Sequence, residues 1–239
     1  MSEEVVGTAA AQRSAWENLR DVVLEPSATF EDVAGRPRWL APLLILAGAT
    51  FVVSFFMLPL YVEMQQMALL EREMTPEQRE QAATGMEAFK WIGLFIAPLA
   101  FAVLTALIAL LFWGWAAVSG GRNAEYRVAF TALVYAGVIG FLQSVVQAVV
   151  VAIKGAEQVA REGGPPLFGL SLFFDRGDMP RLLWGQIANI NFFSIWYAVV
   201  IGIAGVYALR MSRGSAWALA AVIFLVFGFL TAFQGGPAG

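Results

Sequence analysis

Between Leu40 and Phe233 the chain contains five apolar stretches with no acidic or basic residue, each long enough to cross a lipid bilayer. At about 1.5 Å of rise per residue, a helix needs about 20 apolar residues to cross roughly 30 Å of hydrocarbon. The stretches run over 40–62, 91–118, 128–153, 191–209 and 216–233, the fourth within a longer charge-free run, 182–209. The sequence therefore predicts an all-α polytopic membrane protein, a bundle of about five transmembrane helices. A soluble domain of this size has no need of a chain that is 59% hydrophobic and only 14% charged. Trp39, Tyr61, Trp91, Trp113, Trp115 and Trp217 fall at or near the predicted span ends, where amphipathic rings favour the headgroup layer. Trp196 lies inside the fourth span and is expected to pack between helices.

Basic residues near the span ends suggest an orientation. Arg36, Arg38, Arg122, Arg127, Arg210 and Arg213 all fall on one side, in compact loops. The positive-inside rule makes that side cytoplasmic. Arg72, Arg79, Lys90, Lys154, Arg161, Arg176 and Arg181 lie in the longer opposing loops. The expected organisation is a cytoplasmic amphipathic segment over 1–38, a transmembrane domain over 39–234 and an extracytoplasmic tail over 235–239. The expected location is the cell (inner) membrane. The acidic start, Met1-Ser2-Glu3-Glu4, lacks the basic flank and prompt apolar run of a secretory signal.

The flanking segments carry their own signals. Ser14 is placed to cap a helix whose apolar face holds Trp16, Leu19, Val22 and Val23, with Pro26 as its stop. This segment reads as a helix lying on the membrane surface, or as a docking site for a partner. Thr75-Pro76-Glu77-Gln78 has the spacing of a capping box with Pro at the first helical position, so a short polar helix is expected in the first outer loop. In the second outer loop Pro165-Pro166 breaks the chain, and the apolar run 167–174 is too short to cross. Asp175, Arg176 and Asp178 follow, then 179–190. That loop reads as interfacial or re-entrant, with a mobile gate as the alternative.

Little in the chain points to catalysis. With no cysteine and no histidine, it has no thiol nucleophile, no usual zinc or haem ligand and no imidazole base. No charged side chain falls in the central part of any span, which argues against a proton- or ion-coupled pump and against an intramembrane aspartyl protease. The net charge of −3 offers no basic field for nucleic acid. Ser119-Gly120-Gly121-Arg122 follows a membrane helix and lacks the Lys-Ser/Thr pair of a phosphate loop. The polar residues inside spans are neutral. Gln143 and Gln147 stand one turn apart on the third span with Ser144 beside them, and either bond between helices or line a polar cavity. Asn189 and Asn191 lie at the mouth of the fourth span, placed to cap it or line an entrance. Gly137, Gly140, Gly202 and Gly205 permit close helix packing. No cofactor is expected.

Three further stretches resemble a known family. They are Pro26-Ser27-Ala28-Thr29-Phe30 with Arg36-Pro37-Arg38-Trp39-Leu40; Tyr126-Arg127-Val128-Ala129-Phe130 with Tyr135-Ala136-Gly137; and Asn191-Phe192-Phe193-Ser194-Ile195-Trp196 followed by Gly202. In these the chain resembles a bacterial member of the Yip family, the Ypt-interacting proteins. The positions carrying most of the likeness are Pro26, Thr29, Phe30, Pro37, Trp39, Phe193, Ser194 and Trp196. The resemblance implies a five-helix membrane bundle with a cytoplasmic N-terminus, and not an enzyme. Eukaryotic relatives are linked to Rab-type GTPases, but their Asp-Leu-Tyr/Trp-Gly-Pro motif is replaced here by Arg36-Pro37-Arg38-Trp39, which argues against GTPase binding. Some bacterial relatives act with ABC-type exporters. The expected role is a non-catalytic scaffold or accessory subunit for a membrane partner, such an exporter being the named candidate, embedded in the lipid bilayer. The alternative is a small transporter or lipid-handling protein with a polar cavity between helices.

Overall fold

In the computed structural model, residues 13–70, 74–161, 169–174 and 179–233 are described, and every regular element among them is helical. The predicted features at 1–12, Pro165-Pro166, Asp175 to Asp178 and 235–239 lie outside the described residues.

Helix α1, Ala15–Leu24, begins with a reciprocal cap. The Glu17 amide donates to Ser14 Oγ at 3.2 Å, and the Ser14 amide donates to the Glu17 carboxylate at 2.6 Å. The Ser14 amide, helped by the Ser14 hydroxyl, holds the Glu17 carboxyl below its ordinary range. Pro26 then occupies the first turn of α2, Pro26–Gly35, where its missing N–H costs nothing. Asn18 on α1 donates to Asp32 on α2 at 2.9 Å, fixing the pair. Leu19, Val22, Phe30 and Val33 are buried in the main core, together with residues of α5, Tyr126–Lys154, and α8, Phe192–Tyr207. The two helices thus dock on one end of the bundle. Trp16, expected on the apolar face, is 67% exposed; the docked stripe runs through Leu19 and Val22 instead.

Asn123 ties that end together. Its side-chain amide donates to the carbonyls of Ala34 at 3.1 Å and Ala208 at 2.9 Å. Its backbone amide donates to Leu209 at 3.2 Å. One short loop therefore fixes the end of α2 and the turn after α8.

Helices α3, Leu40–Leu70, and α4, Pro76–Val118, pack as a long hairpin. Thr75 and Gln78 form the expected capping box. The capped polar segment is not a separate short helix: it runs unbroken into the second span, giving one helix of 43 residues, about 65 Å long. Much of this hairpin faces outward and apolar. Phe95, Leu99, Val103, Leu107 and Leu110 recur at helical spacing along α4 and are exposed, as a lipid-facing stripe should be. Helix α5 is the opposite case: from Val128 to Ile139 every residue but Phe130 and Gly137 is buried. Over that first half, α5 is enclosed by the other helices. Gly155 then breaks it at φ 80°, a left-handed conformation suited to glycine, and α6, Ala156–Arg161, follows.

The fourth apolar run is divided. Helix α7, Arg181–Asn189, and α8 are bent by 75° at Ile190-Asn191. Both pack against α9, Arg213–Phe233. On α7, Arg181 donates to the Ala232 carbonyl, Gln186 to Leu225 and Asn189 to Phe224. On α8, Gly202 faces Trp217 and Gly205 faces Ala216. The pair thus follows α9 from one end to the other. Taken as one broken span, it brings the candidate crossings to five, with α3, α4, α5 and α9.

Candidate functional site

The break between α7 and α8 organises a cavity. Phe224, which receives the Asn189 amide at 2.8 Å, lies eleven residues into α9, about 16 Å along it. That is midway along a helix long enough to span a hydrocarbon layer about 30 Å thick. Unwound backbone at such a position must find partners within the protein, and here it does. The Ile190 amide donates to Ile187 at 3.1 Å, and the Ile190 carbonyl accepts from Leu170 at 3.1 Å. The Asn191 side-chain oxygen caps α8 by accepting from the Ser194 amide at 3.0 Å, while its nitrogen donates to Ser194 Oγ at 2.9 Å. Leu170 opens a single 3₁₀ turn, Leu170–Phe173, that follows Gly169 at φ 130°. A Cβ at Gly169 would strike the backbone of Ile190 and Asn191, so only glycine lets this turn close over the break.

Beside the break lies a cavity of about 460 Å³, lined from α3, α4, α5, α7, α8 and α9. Its walls are largely apolar, with Leu46, Phe101, Ile108, Leu133, Ile223 and Phe227 among them. A band of neutral polar side chains crosses those walls, and among the described residues no Asp, Glu, Lys or Arg lines it. Gln143, Ser144, Gln147, Asn189 and Asn191, singled out above from sequence, all line this one space. Asn189 and Asn191 are buried at the break itself. Ser144 donates back to Gly140 at 3.0 Å, and Gln147 is also partnered.

Gln143 and three further polar groups are held differently. Thr50 of α3, Thr105 of α4, Gln143 of α5 and Tyr197 of α8 line the cavity, and among the described residues none of their side chains has a hydrogen-bond partner. Thr50, Thr105 and Tyr197 carry no sequence signal. An isolated hydroxyl in an apolar helix usually bonds to a carbonyl one turn back and says nothing about a site. Only convergence from three helices sets these apart.

The residues that carry the resemblance do two jobs. Pro26, Thr29 and Phe30 build the docked α2, where Thr29 and Phe30 are fully buried. Pro37 lies in the turn after α2, and Trp39 precedes α3 with its ring edge-on to Phe130 at 5.6 Å. Phe193 and Ser194 line the cavity. Trp196, one turn into α8, is half-buried against the main core and packs on Phe192 at 5.5 Å.

The Yip1 domain family profile matches residues 20–234, from within α1 past the end of α9. No curated protein matches the chain, and no solved structure does.

Proposed function

The chain belongs to the Yip1 domain family, and on that premise we propose that this multi-pass membrane protein is non-catalytic and takes a lipid-like molecule into the cavity at its broken helix. The observation that supports this most is the cavity's composition. It joins apolar walls to unpartnered Thr50, Thr105, Gln143 and Tyr197 at membrane depth. Polar groups left unsatisfied in hydrocarbon are costly, each by several kcal/mol. An occupant that supplies partners removes that cost. The space is also within the size range of sites that hold small molecules. Mass spectrometry of the intact protein, released gently from mild detergent, tests the reading. One retained lipid mass per chain is the expected result; a bare chain under conditions that keep the fold counts against it.

The topology that goes with this reading has five crossings, a cytoplasmic N-terminus and an extracytoplasmic C-terminus, in the cell's inner membrane. The chain lacks cysteine, so single cysteines report cleanly. In intact cells a membrane-impermeant maleimide is expected to label Gln158→Cys, after α5, and to spare Glu125→Cys, before it. The reverse pattern would invert the topology.

A second reading is favoured by the length of α4. The helix begins at Pro76, whereas its apolar window begins at Phe89, so about 20 Å of helix extends beyond that window. This arm is a contact surface suited to a scaffold or accessory subunit of a membrane partner, such as an ABC-type exporter. A photo-crosslinker at Gln78, which is exposed, is expected to capture an exporter subunit. Adducts with lipid alone would remove the reason for this reading.

A further inference from the structure

The same cavity carries information about the kind of head group it takes, and the inference rests on the reading of it as a ligand site. We propose that the occupant is an uncharged lipid bearing both a hydroxyl and an ester carbonyl, of the diacylglycerol type, with its head group at Thr105, Gln143 and Tyr197.

Three observations carry this. First, among the described residues the lining holds no acidic or basic side chain. A phosphate or carboxylate at this depth would have no counter-charge, and an isolated charge is the most expensive thing to bring into hydrocarbon. Second, the unpartnered groups are mixed in kind. The Gln143 amide presents one acceptor and two donors, and each hydroxyl can act as either. A pure hydrocarbon satisfies none of them. A molecule with carbonyls alone satisfies the donors and leaves the Gln143 oxygen without a proton to accept. A hydroxyl next to an ester carbonyl answers both. Third, the space is too small to enclose two acyl chains, yet it has a way out. Leu104, Gly140 and Ser144 line it and are also exposed, and a Cβ built on Gly140 meets nothing within 4 Å. Chains can leave sideways there into the apolar layer while the head stays inside.

The test uses the full-length protein in phosphatidylcholine vesicles. Three probes with the same diazirine-tagged chains are compared: a diacylglycerol, the matching phosphatidic acid, and a fatty acid methyl ester that lacks the hydroxyl. After illumination, peptides carrying the adduct are mapped. The diacylglycerol is expected to label cavity segments of α4 and α5 far more strongly than either other probe. Gln143→Leu is expected to lower that labelling about fivefold or more, the effect of one lost hydrogen bond, with thermal stability unchanged. Tyr197→Phe, which removes only the hydroxyl, is the second variant. If phosphatidic acid or the methyl ester labels the cavity as well as diacylglycerol does, or both variants leave labelling unchanged, the head-group inference falls while the cavity stays a lipid site. If no probe reaches the cavity segments of the wild-type protein, both the inference and the reading beneath it fall.

Discussion

Gly185→Leu is expected to leave almost no folded protein in the membrane. Gly185 sits on α7 where that helix crosses α9. A Cβ there would run into the Gly228 carbonyl oxygen and come within 2.6 Å of the Ala232 Cβ and 2.7 Å of the Ala232 amide nitrogen. Two of those three obstacles are backbone and cannot swing aside. Small residues at such crossings let helices approach closely enough for side-chain amides to reach across. Here they allow Gln186 to donate to Leu225 at 3.1 Å and Asn189 to Phe224 at 2.8 Å. A leucine would push α7 off α9 and break both bonds as well as adding strain. Overpacking alone costs about 1–3 kcal/mol and more where the obstacle is rigid, and the lost bonds add to that. Size-exclusion profiles and thermal melts in mild detergent read the outcome. Gly228→Ala makes an informative partner. Its added Cβ would meet the Gln186 side chain, a flexible group that can withdraw, so a milder loss is expected. Normal yield and melting for Gly185→Leu would mean that α7 does not pack along α9.

The second large effect concerns the ligand and not the fold. Gly140→Trp is expected to fold normally and to lose the retained lipid. Gly140 lines the cavity on α5 and is exposed at its side opening. Because a Cβ there meets nothing within 4 Å, a large side chain can enter the open space without displacing α5. The indole would occupy much of the room needed by a lipid head and close the exit for its chains. Retention, measured by mass spectrometry of the intact protein, is expected to fall at least about tenfold, equivalent to about 1.4 kcal/mol or more in affinity. Gly48→Trp is the control. Gly48 is also exposed with nothing within 4 Å of its built Cβ, but it does not line the cavity. It should retain the lipid as wild type does. Equal retention by both variants would place the lipid elsewhere on the protein.

The two sites differ in how far they could be read from sequence. Long charge-free runs announce membrane helices because lipid tolerates little else, and the fold class follows from them. Gln143 and Gln147 stand out because two amides at helical spacing are unusual in an apolar span, and they do share one cavity. Asn189 and Asn191 are visible as polar residues at the start of the fourth span, but the bend they flank is not. Read by hydropathy, the fourth helix begins at 191, and both residues sit at its mouth. In the structure a second helix, α7, precedes a 75° bend, and both residues are buried at that bend. Hydropathy registers apolar content and is blind to a bend between two apolar pieces.

The N-terminal helices show a related limit. The Ser14 cap is a local signal and is readable. Which apolar stripe meets protein and which meets lipid is decided by tertiary packing, and Leu19 and Val22 meet protein. Thr75 likewise marks where a helix starts and gives no information on where it ends. The hydroxyls of Thr50, Thr105 and Tyr197 lie furthest from sequence reasoning, since their significance is that none bonds along its own helix.

The most direct test is an experimental structure of the protein in nanodiscs made from its native lipids. The account predicts elongated density inside the cavity, touching Gln143 and Tyr197 and leaving past Gly140. Helices α4, α5 and α8 closed together, with the Gln143 amide bonded to a neighbouring helix and no room for an occupant, would contradict it.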